Sequence, residues 1–92
     1  MISEKVTVRN KSGLHMRPAA VLSQLCAQLK SDILLVCGDK EINPKSILKL
    51  MGCGIRAGDV VEVRCDGETE DEDLRAVVEA IESGLGDEIV EV

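Results

Sequence analysis

The chain contains a single histidine, His15, and the residue types around it are those that handle anions. Gly13 stands two positions before it, and Arg17 and Pro18 follow closely. A neutral imidazole nitrogen is a nucleophile near neutral pH, and the guanidinium of arginine presents a planar fork of donors that matches phosphate oxygens. This spacing indicates a histidine that accepts a phosphoryl group, with Arg17 neutralising the added charge.

The predicted place of His15 at the start of a helix favours the same chemistry. Proline suits a first helical turn, because its missing N–H costs nothing there, and apolar residues recur at helical spacing after Pro18. The first amides of a helix have no intrahelical partners and bind anions. Gly13 would let the backbone turn tightly and approach a bound group.

Other interpretations of His15 are weaker but not all are excluded by the residues. A surface histidine without a role stays open on this reasoning alone. A metal site has no Asp, Glu, Cys or second His nearby in sequence, and a Ser-His hydrolase would need a buried carboxylate that no pattern indicates. We therefore expect no metal and no cofactor.

Length and composition limit the class of protein. Ninety-two residues predict one domain, covering residues 1–92. Aromatic residues are absent, which argues against binding to nucleic acid, because no side chain offers a platform for base stacking. No apolar run reaches the roughly 20 residues of a membrane span, and charged residues interrupt the start of the chain. We expect a cytoplasmic protein without membrane insertion.

The charge is distributed unevenly. Residues 1–64 carry ten Lys or Arg and six Asp or Glu, a net +4, whereas residues 65–92 carry one Arg and eleven Asp or Glu, a net −10. Local rather than net charge sets the field near a site, so the basic part is predicted to steer an acidic partner toward His15.

The four cysteines form no C-x-x-C pair, so the spacing typical of zinc sites and of thioredoxin-like redox sites is missing. Each lies among apolar or small residues. We expect reduced thiols that pack as small hydrophobes: Cys26, Cys37, Cys53 and Cys65.

Hydrophobic periodicity predicts the element order β-α-β-β-α-β-α, which suits helices layered on one face of a small antiparallel sheet. Helices are predicted over 18–29, 47–51 and 74–85, and strands near 6–8, 32–36, 40–42 and 61–65. The open face of the sheet would present Lys5, Thr7, Arg9, Glu62 and Arg64.

The ends of the helices also have sequence signals. Ser46 is a predicted N-cap, and Thr69 with Glu72 has the spacing of a capping box. The last helix is predicted to close at Gly84 or Gly86. The tail, residues 88–92, is predicted to be a short extended segment.

Two segments, "NKSGLHMRPAA" at 10–20 and "NPKSILKLM" at 43–51, give the chain a strong resemblance to the histidine-containing phosphocarrier protein, HPr, of the bacterial phosphoenolpyruvate-dependent phosphotransferase system. The resemblance covers essentially the whole chain. It implies an α+β fold, an open-faced β-sandwich whose four-stranded antiparallel sheet has the order 1-4-2-3, with three helices on one face.

The resemblance also implies a function. Enzyme I would phosphorylate His15 on Nδ1, and the group would pass to an Enzyme IIA-type sugar or nitrogen component. Arg17 would act with His15 in the transfer, and Gly13, Met16 and Pro18 would support the phosphoryl group. Ser46 matches the serine modified by HPr kinase/phosphorylase, and a transcriptional regulator is a further implied partner. The implied docking surface on a monomer comprises Ile47, Leu48, Lys49 and Met51.

Some positions depart from the family pattern, and one alternative function stays open. Met16 replaces the usual Ala or Thr, and the segment "GCG" after the short helix and the tail 89–92 differ from many relatives. The alternative is a regulatory protein-interaction module, a nitrogen-type or catabolite-regulation paralogue, that is not committed to sugar uptake. Such paralogues typically lose the histidine, whereas this chain keeps His15.

Overall fold

The computed structural model describes residues 1–90. Its elements follow the predicted order and are built from the predicted periodicities. They are β1 (Ile2–Thr7), α1 (Met16–Gln28), β2 (Asp32–Cys37), β3 (Lys40–Ile42), α2 (Ile47–Met51), β4 (Val60–Asp66) and α3 (Glu70–Glu82).

The four strands form one antiparallel sheet in the order β1-β4-β2-β3, which confirms the predicted topology. Central strand β4 pairs with β1 through partners such as Val6 and Val61, and with β2 through partners such as Leu35 and Val63. Successive side chains of a strand point to opposite faces, so this register places the apolar residues of all three strands on the same side. The helices cover that side.

The core lies between the sheet and the helices. Its fully buried members include Leu35 and Val63 from the sheet and Leu22, Val77 and Ile81 from α1 and α3. On the other face of the sheet, the predicted polar residues lie at least partly in solvent, and a short ion pair joins Arg64 Nε and Glu62 Oε1 at 2.8 Å. Those residues are Lys5, Thr7, Arg9, Glu62 and Arg64.

The cysteines behave as packing residues. Cys26 and Cys65 are buried in the core, and Cys37 and Cys53 pack against it half-buried. Burial raises the pKa of the Cys26 thiol to about 12 and that of the Cys65 thiol to about 11. Since the thiolate is the reactive form, these two thiols are chemically quiet at neutral pH.

At the C-terminal end of α3, the predicted series of apolar residues at helical spacing extends beyond the helix itself. The helix ends at Glu82, and Gly84 adopts the left-handed conformation with φ +89°. The amide of Leu85 donates to Ala80 O at 3.2 Å, and that of Gly84 donates to Ile81 O at 3.2 Å, which together form a Schellman motif. Leu85 is therefore buried by the chain reversal and not by the helix, and Gly84 is the residue that closes α3.

At the N-terminus of α3 the predicted capping box is wrong. Thr69 makes no side-chain cap to the helix amides. Its Oγ1 donates instead to Oδ2 of the buried carboxylate of Asp73, at 2.8 Å. That carboxylate also accepts from the amide of Ser31 at 3.0 Å and from its hydroxyl at 2.5 Å. The backbone of Thr69, at φ −107° and ψ 27°, lies outside the extended region typical of an N-cap, so its hydroxyl is bonded to Asp73 and not to the helix amides.

The Asp73 carboxylate links α3 to the connection between α1 and β2, and we expect it to be an acid-sensitive element of the fold. The hydrogen bonds from Ser31 hold the pKa of Asp73 below its ordinary value against the opposing effect of burial, and the bond from Thr69 acts in the same direction. A depressed pKa contributes stability above the unfolded pKa, and that stability is lost as pH falls through the folded pKa. The free energy of unfolding should therefore decrease as pH falls below about 4.

Replacing Asp73 by Ala leaves the Ser31 and Thr69 donors without their shared acceptor. We expect Asp73→Ala to lower the free energy of unfolding at pH 7 by about 2–3 kcal/mol, measured by urea denaturation. Asp71→Ala is the matched control, since Asp71 is exposed on the same helix turn. An Asp73→Ala variant as stable as the Asp71→Ala control would show that the buried bonds contribute nothing net.

Candidate functional site

His15 lies at the N-cap of α1, with its backbone in the extended region at φ −80° and ψ −169°. Its carbonyl accepts the first hydrogen bond of the helix, from the amide of Ala19 at 2.9 Å. The imidazole makes no cap hydrogen bond and is exposed to solvent. The helix start thus fixes the position of the residue while the ring stays accessible.

The first turn of α1 presents hydrogen-bond donors next to the ring. The amides of Met16 and Arg17 have no acceptor within residues 1–90, and Pro18 carries no amide hydrogen. The Arg17 side chain is exposed and forms no ion pair in the same part of the chain. The helix dipole adds partial positive charge at this end. An anion attached to His15 would therefore meet amides and a guanidinium that are not otherwise engaged.

The other two residues of the first turn differ in exposure. Pro18 is buried, so it fixes the helix start from within the protein. Met16 is 72% exposed, and it places an apolar side chain at the surface directly after the histidine. Their predicted support of a phosphoryl group stays a prediction, since one faces the interior and the other faces solvent.

Gly13 has a structural reason to be glycine. Its φ is +63°, and its amide closes a turn by donating to Asn10 O at 3.0 Å, as the sequence predicted. A Cβ at this position would lie 2.5 Å from Ile55 O and 3.0 Å from Arg56 Cα. Gly13 therefore lets its backbone lie close to the chain between α2 and β4. The role of Gly13 toward a bound phosphoryl group stays a prediction.

Residues 87–90 form hydrogen bonds with the loop that leads to His15. Asn10 and Ile89 form an antiparallel bridge, so the predicted extended tail is formed there, while the last two residues of the chain lie outside the described part. The amide of Ser12 donates to Oδ2 of Asp87 at 2.8 Å. This bond is the main reason that the pKa of the Asp87 carboxyl lies below its ordinary value. These contacts with residues 87–90 therefore hold the loop in place.

The second predicted motif forms the short helix α2, and Ser46 is its N-cap, as predicted. The Ser46 hydroxyl accepts a hydrogen bond from the Lys49 amide at 3.4 Å. Helix α2 packs against α1, and the Ser23 hydroxyl of α1 donates to Lys45 O at 3.0 Å just before the cap. The motif that holds Ser46 is thus anchored to the helix that begins at His15.

The predicted docking residues of α2 divide into two groups. Leu48 is 75% exposed and Lys49 is also exposed, whereas Ile47 and Met51 are half-buried against the core. A single exposed leucine is common on protein surfaces, so its exposure leaves the side chain accessible to a partner but does not by itself mark an interface. The docking surface itself stays a prediction, and within it Leu48 is the most exposed apolar residue.

Sequence reasoning missed the residues that hold the loop. Asn10 was assigned only to a turn, yet it is fully buried, and its side-chain amide donates to Gly13 O. The Ser12–Asp87 bond joins residues 75 positions apart. No sequence pattern indicates a bond between residues so far apart, and the burial of Asn10 likewise depends on how the whole chain folds.

Comparison with known proteins agrees with the architecture. A family model described as "PTS HPr component phosphorylation site" matches residues 2–83. This match, together with the curated and structural relatives, places the chain in the phosphocarrier class of proteins. The chain belongs to the HPr family of the phosphotransferase system.

Individual relatives span almost the full length. The chain is 33% identical to the phosphocarrier protein HPr of Neisseria meningitidis serogroup A over 87 residues, which covers 95% of this chain and 98% of that protein. It is 40% identical over 74 residues to the HPr-like protein Crh of Bacillus subtilis, with 80% and 87% covered. The crystal structure of HPr-C-His from Thermoanaerobacter tengcongensis superposes with a TM-score of 0.90 at 37% identity, covering 97% of this chain and all of that one.

Within residues 1–90 the structure has no helix that is long and apolar enough to cross a membrane.

Proposed function

We propose that this chain is a phosphoryl carrier that receives a phosphoryl group from phosphorylated Enzyme I on His15 and passes it to an Enzyme IIA-type component. The observation that carries the proposal is the exposed imidazole at the N-cap of a 13-residue helix, beside the unengaged donors of Met16 and Arg17. Membership of the HPr family supports the direction of transfer.

The chemical step is a displacement at phosphorus. The Nδ1 lone pair of a neutral imidazole forms the new P–N bond while the bond between phosphorus and the donor breaks, and that electron pair returns to the donor. The proton on Nε2 stays on the ring or is released to solvent. Arg17 and the two first-turn amides would hold the phosphoryl oxygens, and the same contacts serve the reverse displacement when the group moves on.

The exposure of His15 favours a protein over a small molecule as the reaction partner. Small-molecule sites bury most of their ligand in a concave pocket, whereas an accessible ring at a helix end can enter the active site of another protein. A carrier of this kind works where phosphoenolpyruvate is produced, so the proposal includes the cytoplasmic location, and it takes the chain to be a monomer.

The relay itself is the experiment that tests the proposal. Phosphoenolpyruvate, Enzyme I and an excess of an Enzyme IIA protein are mixed with a small amount of this chain, and phosphorylated Enzyme IIA is followed by mass spectrometry. We expect many equivalents of Enzyme IIA to be phosphorylated per carrier molecule. Transfer no faster than in a mixture without the carrier would contradict the proposed relay.

A second candidate function is that of a regulatory module, and the observation that favours it is the 40% identity to Crh. In that case Ser46 at the cap of α2 would be the modified residue, and a transcriptional regulator would be the partner. The retained His15 argues for the carrier. A chain that HPr kinase/phosphorylase modifies on Ser46 but that no Enzyme I phosphorylates would establish the regulatory alternative.

Arg17 offers a test of the site that leaves the fold intact. Its side chain is exposed, and exposed charges contribute at most about 1 kcal/mol to stability. We expect Arg17→Ala to melt close to the wild-type temperature but to accept phosphate from Enzyme I at least about tenfold more slowly. Arg17→Lys should recover part of the rate, since it keeps the charge but loses the fork. Equal rates for Arg17→Ala and the wild type would count against the assigned role.

A further inference from the structure

A second arginine, Arg56, lies against the loop that carries His15. The amide of Leu14 donates to Ile55 O at 3.1 Å, so the residue directly before the histidine is tied to the residue directly before Arg56. A Cβ on Gly13 would come within 3.0 Å of Arg56 Cα. The two backbones are therefore in van der Waals contact two residues before His15.

The backbone of Arg56 is held in place by its own turn. Its amide donates to Oδ2 of Asp59 at 2.9 Å, and its carbonyl accepts from the Asp59 amide at 3.0 Å. The same turn is bonded to Val8, which donates to Asp59 O at 2.8 Å. One carboxylate oxygen of Asp59 thus accepts a hydrogen bond from the backbone amide of Arg56. These bonds hold the turn in a fixed position relative to the loop.

The side chain of Arg56 is exposed and forms no ion pair or side-chain hydrogen bond within residues 1–90. Gly13 and His15 are two Cα steps apart, which is at most about 7.6 Å. An extended arginine side chain covers a similar length, so its guanidinium has the reach to meet a group attached to the imidazole. Arg17 would approach that group from α1, and Arg56 would approach from the chain between α2 and β4.

We propose that Arg56 is a second phosphoryl-binding cation of the His15 site, which stabilises the phosphorylated form by charge-assisted contact with the phosphoryl oxygens. This inference rests on the proposed function. It adds a residue that neither the motif around the histidine nor the motif around Ser46 contains. It also explains why the loop and the turn are bonded so closely, since a fixed distance lets a surface arginine act on a fixed ring.

An equilibrium measurement separates this role from partner docking. Enzyme I is a catalyst, so a residue that only contacts it changes the forward and reverse rates together and leaves the equilibrium unchanged. The fraction of phosphorylated carrier is measured with catalytic Enzyme I at a fixed ratio of phosphoenolpyruvate to pyruvate, with pyruvate in excess so that the wild type is only partly phosphorylated. Arg56→Gln should lower the equilibrium constant about two- to fivefold.

Two further variants complete the test. Arg56→Lys should recover part of the loss, because it keeps the cation. Arg75→Gln is the matched control, an exposed arginine on α3 among Asp71, Glu72 and Glu79, and it should leave the equilibrium constant unchanged. Melting temperatures of all three should match the wild type, since the bonds of the turn involve only the backbone of Arg56.

The outcomes are distinct. An Arg56→Gln equilibrium constant equal to that of the wild type overturns the inference, and a slower rate in that case would reassign Arg56 to docking. A wild-type chain that accepts no phosphate at all would contradict the proposed function, and the inference would fail with it.

Discussion

His15→Ala should abolish the acceptance of phosphate from Enzyme I. The physical reason is that the imidazole supplies the lone pair that forms the P–N bond, and the chain has no second histidine. The side chain is exposed and makes no cap hydrogen bond, so its loss should leave the fold and the melting temperature nearly unchanged. Intact-mass spectrometry after incubation with Enzyme I and phosphoenolpyruvate would show one acid-labile phosphate on the wild type and none on the variant.

The matched control for this prediction is a change at the next exposed position. Met16→Ala alters the surface beside the ring without removing the nucleophile. It should still become fully phosphorylated, whatever its rate. If His15→Ala gained an acid-labile phosphate as fast as Met16→Ala, another residue would be the acceptor and the assigned chemistry would be wrong.

Ser46→Asp should slow the phosphorylation of His15 by about tenfold or more, because like charges brought together at an interface cost several kcal/mol. Aspartate is as good an N-cap as serine, so α2 should remain formed and the melting temperature should equal or exceed that of the wild type. The added charge would lie beside exposed Leu48 on the proposed docking surface. There it would oppose an acidic partner. Stopped-flow or quenched-flow labelling with Enzyme I gives the rate.

Ser46→Asn is the control that isolates charge from capping, since asparagine caps a helix as aspartate does but is neutral. It should be phosphorylated near the wild-type rate. Ser46→Ala should also keep the rate, with a loss of stability of up to about 1 kcal/mol because the bond to the Lys49 amide is removed. Equal slowing by Asp and Asn would assign the effect to the cap or to size and would refute electrostatic blocking.

The parts of the fold that could be predicted from the sequence are those that local hydrophobic patterns encode. The alternation around Val61 and Val63 and the helical spacing of Leu74, Val77 and Ile81 are local patterns, and the structure buries all five on the core side of the sheet. Such periodicity reports directly which face of an element is covered. The strand order came from the family resemblance, because no local pattern states which strands are neighbours.

Two local patterns were misleading because another interaction overrides them in the folded chain. Thr69 and Glu72 have the spacing of a capping box. In the structure, however, the threonine hydroxyl donates to the Asp73 carboxylate, which also accepts a hydrogen bond from Ser31. Leu85 fits the helical stripe of α3, but the glycine before it reverses the chain and buries the leucine by another route.

The position of His15 and Arg17 at a helix start was predictable from the sequence, but the contacts that support the loop before them were not. His15 and Arg17 are neighbours in sequence, so their joint presence at a helix start could be seen directly. Arg56 and Asp87 reach the same loop from connections that follow α2 and α3. Their positions depend on how the whole chain folds, and only the assembled structure places them against the loop that leads to His15.

The central claim is that Nδ1 of His15 carries the phosphoryl group, and nitrogen NMR of the phosphorylated chain tests it most directly. The chain is labelled with ¹⁵N at histidine, phosphorylated with Enzyme I and phosphoenolpyruvate, and examined for ³¹P–¹⁵N coupling on the imidazole. We expect a single coupled nitrogen, Nδ1, and its disappearance when the sample is acidified and the phosphate is lost. Coupling at Nε2, or a phosphate that survives acid and resides on a serine, would contradict the account.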